Sequence, residues 1–77
     1  MNSEQVCDFV KENSWYECIE GADDNLYFCS CDESKTEQEN LNEAYRMSLL
    51  FTDRQVYAFV EPSEDRFIYL VVKAENE

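Results

Sequence analysis

The sequence contains no histidine, one glycine, one proline and only six bases. Each scarcity closes something off. Hydrolytic catalysis usually rests on a tuned proton acceptor, most often histidine. A single glycine leaves no room for a phosphate-cradling or dinucleotide-binding glycine pattern. So little glycine and proline also argues against a linker or a disordered tail. No stretch approaches the roughly 20 apolar residues of a membrane helix. The opening residues, Met1 to Gln5, carry neither a basic segment nor a long apolar one, so no secretory signal is expected. With Met1 in place, a complete small open reading frame and a cytoplasmic location are expected, the host cytoplasm if the gene belongs to a phage.

What the chain does hold is apolar mass and negative charge. Its 77 residues fit one small acidic domain spanning positions 1–77, with 44% apolar residues and eleven aromatics. Aromatics bury about 150–250 Å² each, which lets a short chain gain stability without length. Eighteen acids against six bases give a net charge of −12. Self-repulsion of that size destabilises a compact state. Solubility is one account of it. The charge is uneven, however: residues 1–43 hold twelve acids and two bases, and residues 44–77 hold six and four. That asymmetry favours recognition of a basic surface.

Four cysteines, Cys7, Cys18, Cys29 and Cys31, are expected to be free thiols acting as small apolar residues. Two disulfides would suit a secreted mini-protein. A zinc site would need paired knuckles, which this spacing lacks. Asp23-Asp24-Asn25 has an acidic-loop look, but the glycine and the spaced ligands of a calcium loop are missing. Close carboxylate pairs arise by chance among eighteen acids. No enzymatic activity, cofactor or metal is expected.

Along the chain, Asn2 or Ser3 caps a first helix that runs to about Asn13-Ser14, with Gln5 closing a capping box on Asn2. Val6, Phe9, Val10 and Cys7 form its apolar stripe. Residues 15–20 read as a first strand, residues 21–25 as a turn and residues 26–31 as a second strand. After a connection at 32–35, Ser34 with Glu37, or Thr36 with Glu39, opens a second helix over Thr36–Leu50. Its expected inner stripe is Leu41, Ala44, Tyr45, Ser48 and Leu49. Residues 55–60 and 66–73 read as strands three and four around a turn at 61–65. The fourth, RFIYLVVK, is expected centrally, with Phe67, Tyr69 and Val71 on one face and Ile68, Leu70 and Val72 on the other. The order is α-β-β-α-β-β. The expected fold is α+β, a four-stranded mostly antiparallel sheet with two helices packed on one face. The other face, with Tyr57, Phe59, Tyr69 and Val71, would then be an apolar patch for a partner or a homodimer.

The stretch from Glu20 to Glu43 concentrates the charge: Glu20, Asp23, Asp24, Asp32, Glu33, Glu37, Glu39 and Glu43 stand against Lys35 alone. Carboxylates four residues apart on a helix lie about 6 Å apart, comparable to successive phosphates. Stacking nucleic acid on the aromatics is disfavoured, because phosphate binding draws on cations. The inverse is the better expectation: these acids, with Trp15 beside them, imitate a nucleic acid and occupy the basic cleft of a host DNA- or RNA-binding protein. Small acidic proteins of phages and mobile elements use that mode against restriction enzymes, CRISPR effectors and repair enzymes, a resemblance of class only. The alternatives are an immunity or antitoxin protein that neutralises a basic nuclease, and a plain acidic interaction module.

Overall fold

The computed structural model describes residues 2–19 and 24–74. Helix α1 spans Ser3–Asn13 and helix α2 spans Glu37–Ser48; the strands are β1 (Tyr16–Ile19), β2 (Asn25–Ser30), β3 (Val56–Ser63) and β4 (Arg66–Lys73). Both helices start on reciprocal capping boxes. Asn2 pairs with Gln5, and Thr36 pairs with Glu39, which selects the second of the two expected openings of α2. Helix α1 stops at Ser14, whose hydroxyl donates to the Val10 carbonyl and accepts the Tyr16 N–H, turning the chain into β1.

The strands form one antiparallel sheet in the order β1-β2-β4-β3. Strand β4 is central, as its apolar run predicts. Both helices lie on one face. Val6 and Val10 of α1 and Ala44 and Met47 of α2 meet Tyr16, Phe28, Tyr69, Leu70 and Val72 in a single core. Among the described residues no helix is long and apolar enough to cross a membrane.

Three local expectations change. First, β3 runs on through Glu61 and Pro62, so the turn shrinks to Glu64-Asp65. Strand β3 is an edge strand, where the N–H that proline lacks is not needed for pairing. Second, the faces of β4 do not alternate simply. Phe28 pairs with Leu70 and Cys29 with Ile68, leaving Tyr69 as the extra residue of a bulge. The bulge turns Tyr69 into the core, ring to ring with Tyr16 at 6.3 Å, and puts Ile68 with Val71 on the face away from the helices, where both are nonetheless buried, at 7% and 5% exposure. Tyr57, Phe59 and Val71 are the members of the expected open-face patch that lie there; Tyr69 does not. Third, α2 is rotated from its expected stripe, of which Ala44 is buried and Leu41 packs half-buried on the core, while Tyr45 and Leu49 do not. Asn40, Glu43, Ala44 and Met47 face inward, while Tyr45 and Leu49 are 63% and 65% exposed. The inward polar residues have specific partners, which hydropathy patterning does not register.

Candidate protein-binding surface

The connection between β2 and α2 is folded by its own polar side chains. The Asp32 carboxylate accepts the Ser34 N–H at 3.0 Å and the Ser34 hydroxyl, and the Lys35 N–H donates to the Asp32 carbonyl at 3.1 Å. Thr36 Oγ1 then accepts the Glu39 N–H, and the Glu39 carboxylate accepts the Thr36 N–H at 3.0 Å. Ser34 holds the Asp32 carboxyl below the ordinary range, and the Thr36 N–H does the same for Glu39, so both are fully ionised at neutral pH. The two are also close enough that the charge of Asp32 acts on Glu39.

At this end of the sheet the β3–β4 turn closes in. An open cleft of about 350 Å³ is lined by Ser30, Cys31, Asp32 and Glu33 on one side, Asn40 at the back, and Asp65, Arg66, Phe67 and Tyr69 on the other. A second depression, about 540 Å³, lies on Ile19 and Ser63–Arg66. Asp65 and Arg66 border both. Three acids from positions 32, 33 and 65 therefore share one cleft, with Glu37 and Glu39 exposed on the adjoining helical turn.

Trp15 stands at the same end but is largely engaged. Its indole N–H donates to Asn40 Oδ1 at 2.7 Å, and the Lys35 ammonium lies 4.5 Å over its ring. Asn40, only 4% exposed, also accepts the Tyr16 hydroxyl on its backbone carbonyl. Burial, then the Glu43 carboxylate, push the Tyr16 phenol well above its usual value.

The eight acids expected to form one row are divided. Glu43 is 9% exposed and bonded to the Arg46 guanidinium at 2.6 Å, so it adds no free charge to the surface. Asp24 belongs to the opposite end of the sheet, separated from Asp32 by the whole of β2, about 20 Å at roughly 3.3 Å per residue. There its carbonyl accepts the Ala74 N–H at 2.7 Å, beside Arg54, which donates to the Lys73 and Ala74 carbonyls. Glu20 and Asp23 lie outside the described residues. The fold thus brings together Asp32, Glu33, Glu37 and Glu39, with Trp15 behind them, and separates Asp24 and Glu43.

It also adds residues that the sequence reading passed over. Asp65 joins the acids because β4 returns beside β2, a long-range pairing without a local signal. Tyr45 and Leu49 join because α2 is rotated; with Leu41 they form a stripe at four-residue spacing, continuous with Glu37. A further row, Glu4, Asp8 and Glu12, lies exposed along α1, and its spacing was legible. On the open sheet face Tyr57, carried by the edge strand β3, is 54% exposed. Among the described residues no three His, Cys, Asp or Glu side chains are grouped to hold a metal ion.

The chain matches no protein-family model, no curated protein and no solved structure. The surface itself is therefore the only basis for a functional reading.

Proposed function

We propose that the protein is an acidic nucleic-acid mimic, phage or mobile-element encoded, that acts in the host cytoplasm by occupying the basic cleft of a DNA- or RNA-binding protein. Its targets would be of the CRISPR-effector, restriction-enzyme or DNA-repair-enzyme type. The observation that supports this reading best is the convergence of Asp32, Glu33 and Asp65 on one cleft, from segments more than thirty residues apart, with Glu37 and Glu39 alongside. Lys35, the base nearest Asp32 and Glu33 in sequence, is turned onto Trp15, while Arg66, next to Asp65, lines the cleft and contacts the Cys29 sulfur at 3.8 Å. A fixed anionic end of this kind steers encounter with a basic surface. Contact energy would come from the exposed Tyr45 and Leu49, since interface energy concentrates on buried aromatic anchors.

The same stripe favours a second reading, an interaction module whose binding is chiefly apolar. Competition against duplex DNA separates the two. Purified nucleases, glycosylases and CRISPR effectors are titrated with the protein while bound to labelled DNA. The mimic reading expects displacement that weakens steeply with salt. It also expects a loss of about tenfold in the Glu33→Gln, Glu37→Gln, Asp65→Asn variant. Salt-insensitive binding lost in Tyr45→Ala and kept in the triple variant supports the module instead. An immunity protein would show the mimic's salt dependence, but its target would be a nuclease encoded beside it. Sedimentation equilibrium tests for a homodimer through the Tyr57–Phe59 face.

A further inference from the structure

We propose that Cys7 and Cys18 form a disulfide that fastens α1 to β1 when a low-molecular-weight disulfide, such as oxidised glutathione, is the oxidant, while Cys29 and Cys31 remain thiols. The geometry is specific. The two sulfurs lie 2.8 Å apart, the Cys7 thiol donating to Cys18, although eleven positions separate them in the chain. A disulfide bond is about 2.05 Å long, so closing it needs well under about 1 Å of approach. The elements that carry the pair are held in place: Val6 and Val10, on either side of Cys7 in α1, are fully buried, as is Phe28, the residue opposite Cys18. Both residues are only half-buried, which leaves an approach for a small oxidant.

The second pair is placed differently. Cys29, in β2, and Cys31, just past its end, have side chains within hydrogen-bond reach, but two residues of extended chain hold their Cα atoms about 6–7 Å apart, at the upper limit for a bridge. Cys29 is fully buried. The Cys31 thiol donates to the Glu17 carboxylate at 3.2 Å, and that bond pushes its pKa up to about 11, keeping it protonated at neutral pH.

The exchange balances as follows. The Cys7 sulfur loses its proton to solvent and attacks one sulfur of the oxidant. The oxidant's S–S bond breaks, and its first half leaves as a thiolate that takes up a proton. The Cys18 sulfur then attacks the Cys7 sulfur of the mixed disulfide, expelling the second half, which departs with the proton that Cys18 gives up. Two electrons and two protons pass from the pair to the oxidant, which ends as two thiols. Burial, then the hydrogen bond from Cys7, push the Cys18 thiol up to about 12, which makes Cys18 the second sulfur to react. The Lys11 ammonium, one helical turn beyond Cys7, acts against that rise.

The test treats the full native chain with oxidised glutathione, then alkylates the remaining thiols under denaturing conditions and maps peptides by mass. The expected product carries two alkylated cysteines, Cys29 and Cys31, and a peptide cross-linked from Cys7 to Cys18. Its Tm should rise by roughly 10–20 °C and fall back with dithiothreitol, as expected for a loop of this length. Cys7→Ser and Cys18→Ser should each yield no internal bond. Four alkylated thiols, a glutathione adduct that never closes, or a bond to Cys29 or Cys31 would overturn the proposal, and the wild-type map alone decides among them.

Discussion

The Trp15 indole N–H donates to Asn40 Oδ1 at 2.7 Å, joining the residue before β1 to the second turn of α2. Asn40 is nearly closed to solvent, and its backbone carbonyl accepts the Tyr16 hydroxyl. One asparagine thus anchors the acidic end of the molecule to its core. Asn40→Ala leaves the indole N–H without its acceptor, and a lost buried partner costs about 1–3 kcal/mol. The midpoint of urea unfolding should fall accordingly, with the m-value unchanged. A shift below about 0.5 kcal/mol, typical of plain surface positions, would mean the bond contributes little.

The Glu43–Arg46 pair should behave asymmetrically. The carboxylate is buried and the guanidinium half-exposed. Arg46→Gln leaves a carboxylate in a poorly hydrated place and also removes the bond from Arg46 to the Asn13 carbonyl, costing about 1–3 kcal/mol. Glu43→Gln strands no buried charge and should cost less. A double-mutant cycle should show coupling of about 1 kcal/mol; strictly additive losses would count against the pairing.

Asp32 and Glu39 should leave a mark on acid unfolding. Their ordinary values are 3.8 and 4.5, and the hydrogen bonds from Ser34 and Thr36 lower both in the fold. A lowered folded value contributes stability that is complete above the unfolded value and is lost as pH falls through the folded one. Compared with the Asp32→Asn, Glu39→Gln variant, the wild type should hold its relative stability from pH 7 to about 5 and lose ground below about 4.5. Parallel urea midpoints down to pH 3 would contradict this.

Glu64 occupies the left-handed region, with φ 57° at the tip of the β3–β4 turn. A side chain costs roughly 1–2 kcal/mol there, and glycine escapes that cost while loosening the unfolded chain by roughly 0.5–1 kcal/mol. Glu64→Gly should therefore stabilise the protein by up to about 1 kcal/mol, and Glu64→Val should destabilise it. Chemical denaturation of both variants distinguishes this from a relaxed turn, in which glycine would only weaken the protein.

The elements were legible because their signals are local. Capping pairs at Asn2/Gln5 and Thr36/Glu39 mark both helix starts, and the run from Arg66 to Lys73 marks the central strand. Apart from the longer β3, whose end pairs with the adjoining start of β4, the departures involve distant partners. The rotation of α2 depends on Asn40 meeting Trp15 and Tyr16, so a polar residue faces inward where patterning expects leucine. The bulge at Tyr69 depends on the register against β2, and it moves one aromatic from the open face to the core. Among the acids, proximity in sequence proved a partial guide. Asp24 and Asp32 flank the same strand, which separates them by its own length, whereas Asp65 reaches the cleft from the far side of the chain.

The strand order β1-β2-β4-β3 has a consequence for how the molecule comes into being. The strand synthesised last is the one that divides the sheet internally, and it alone links the early hairpin to β3. Until β4 emerges from the ribosome, β3 has no neighbour to pair with, and the helices have only a two-stranded floor. Folding should therefore be a single late event, with no half-built domain surviving on the nascent chain.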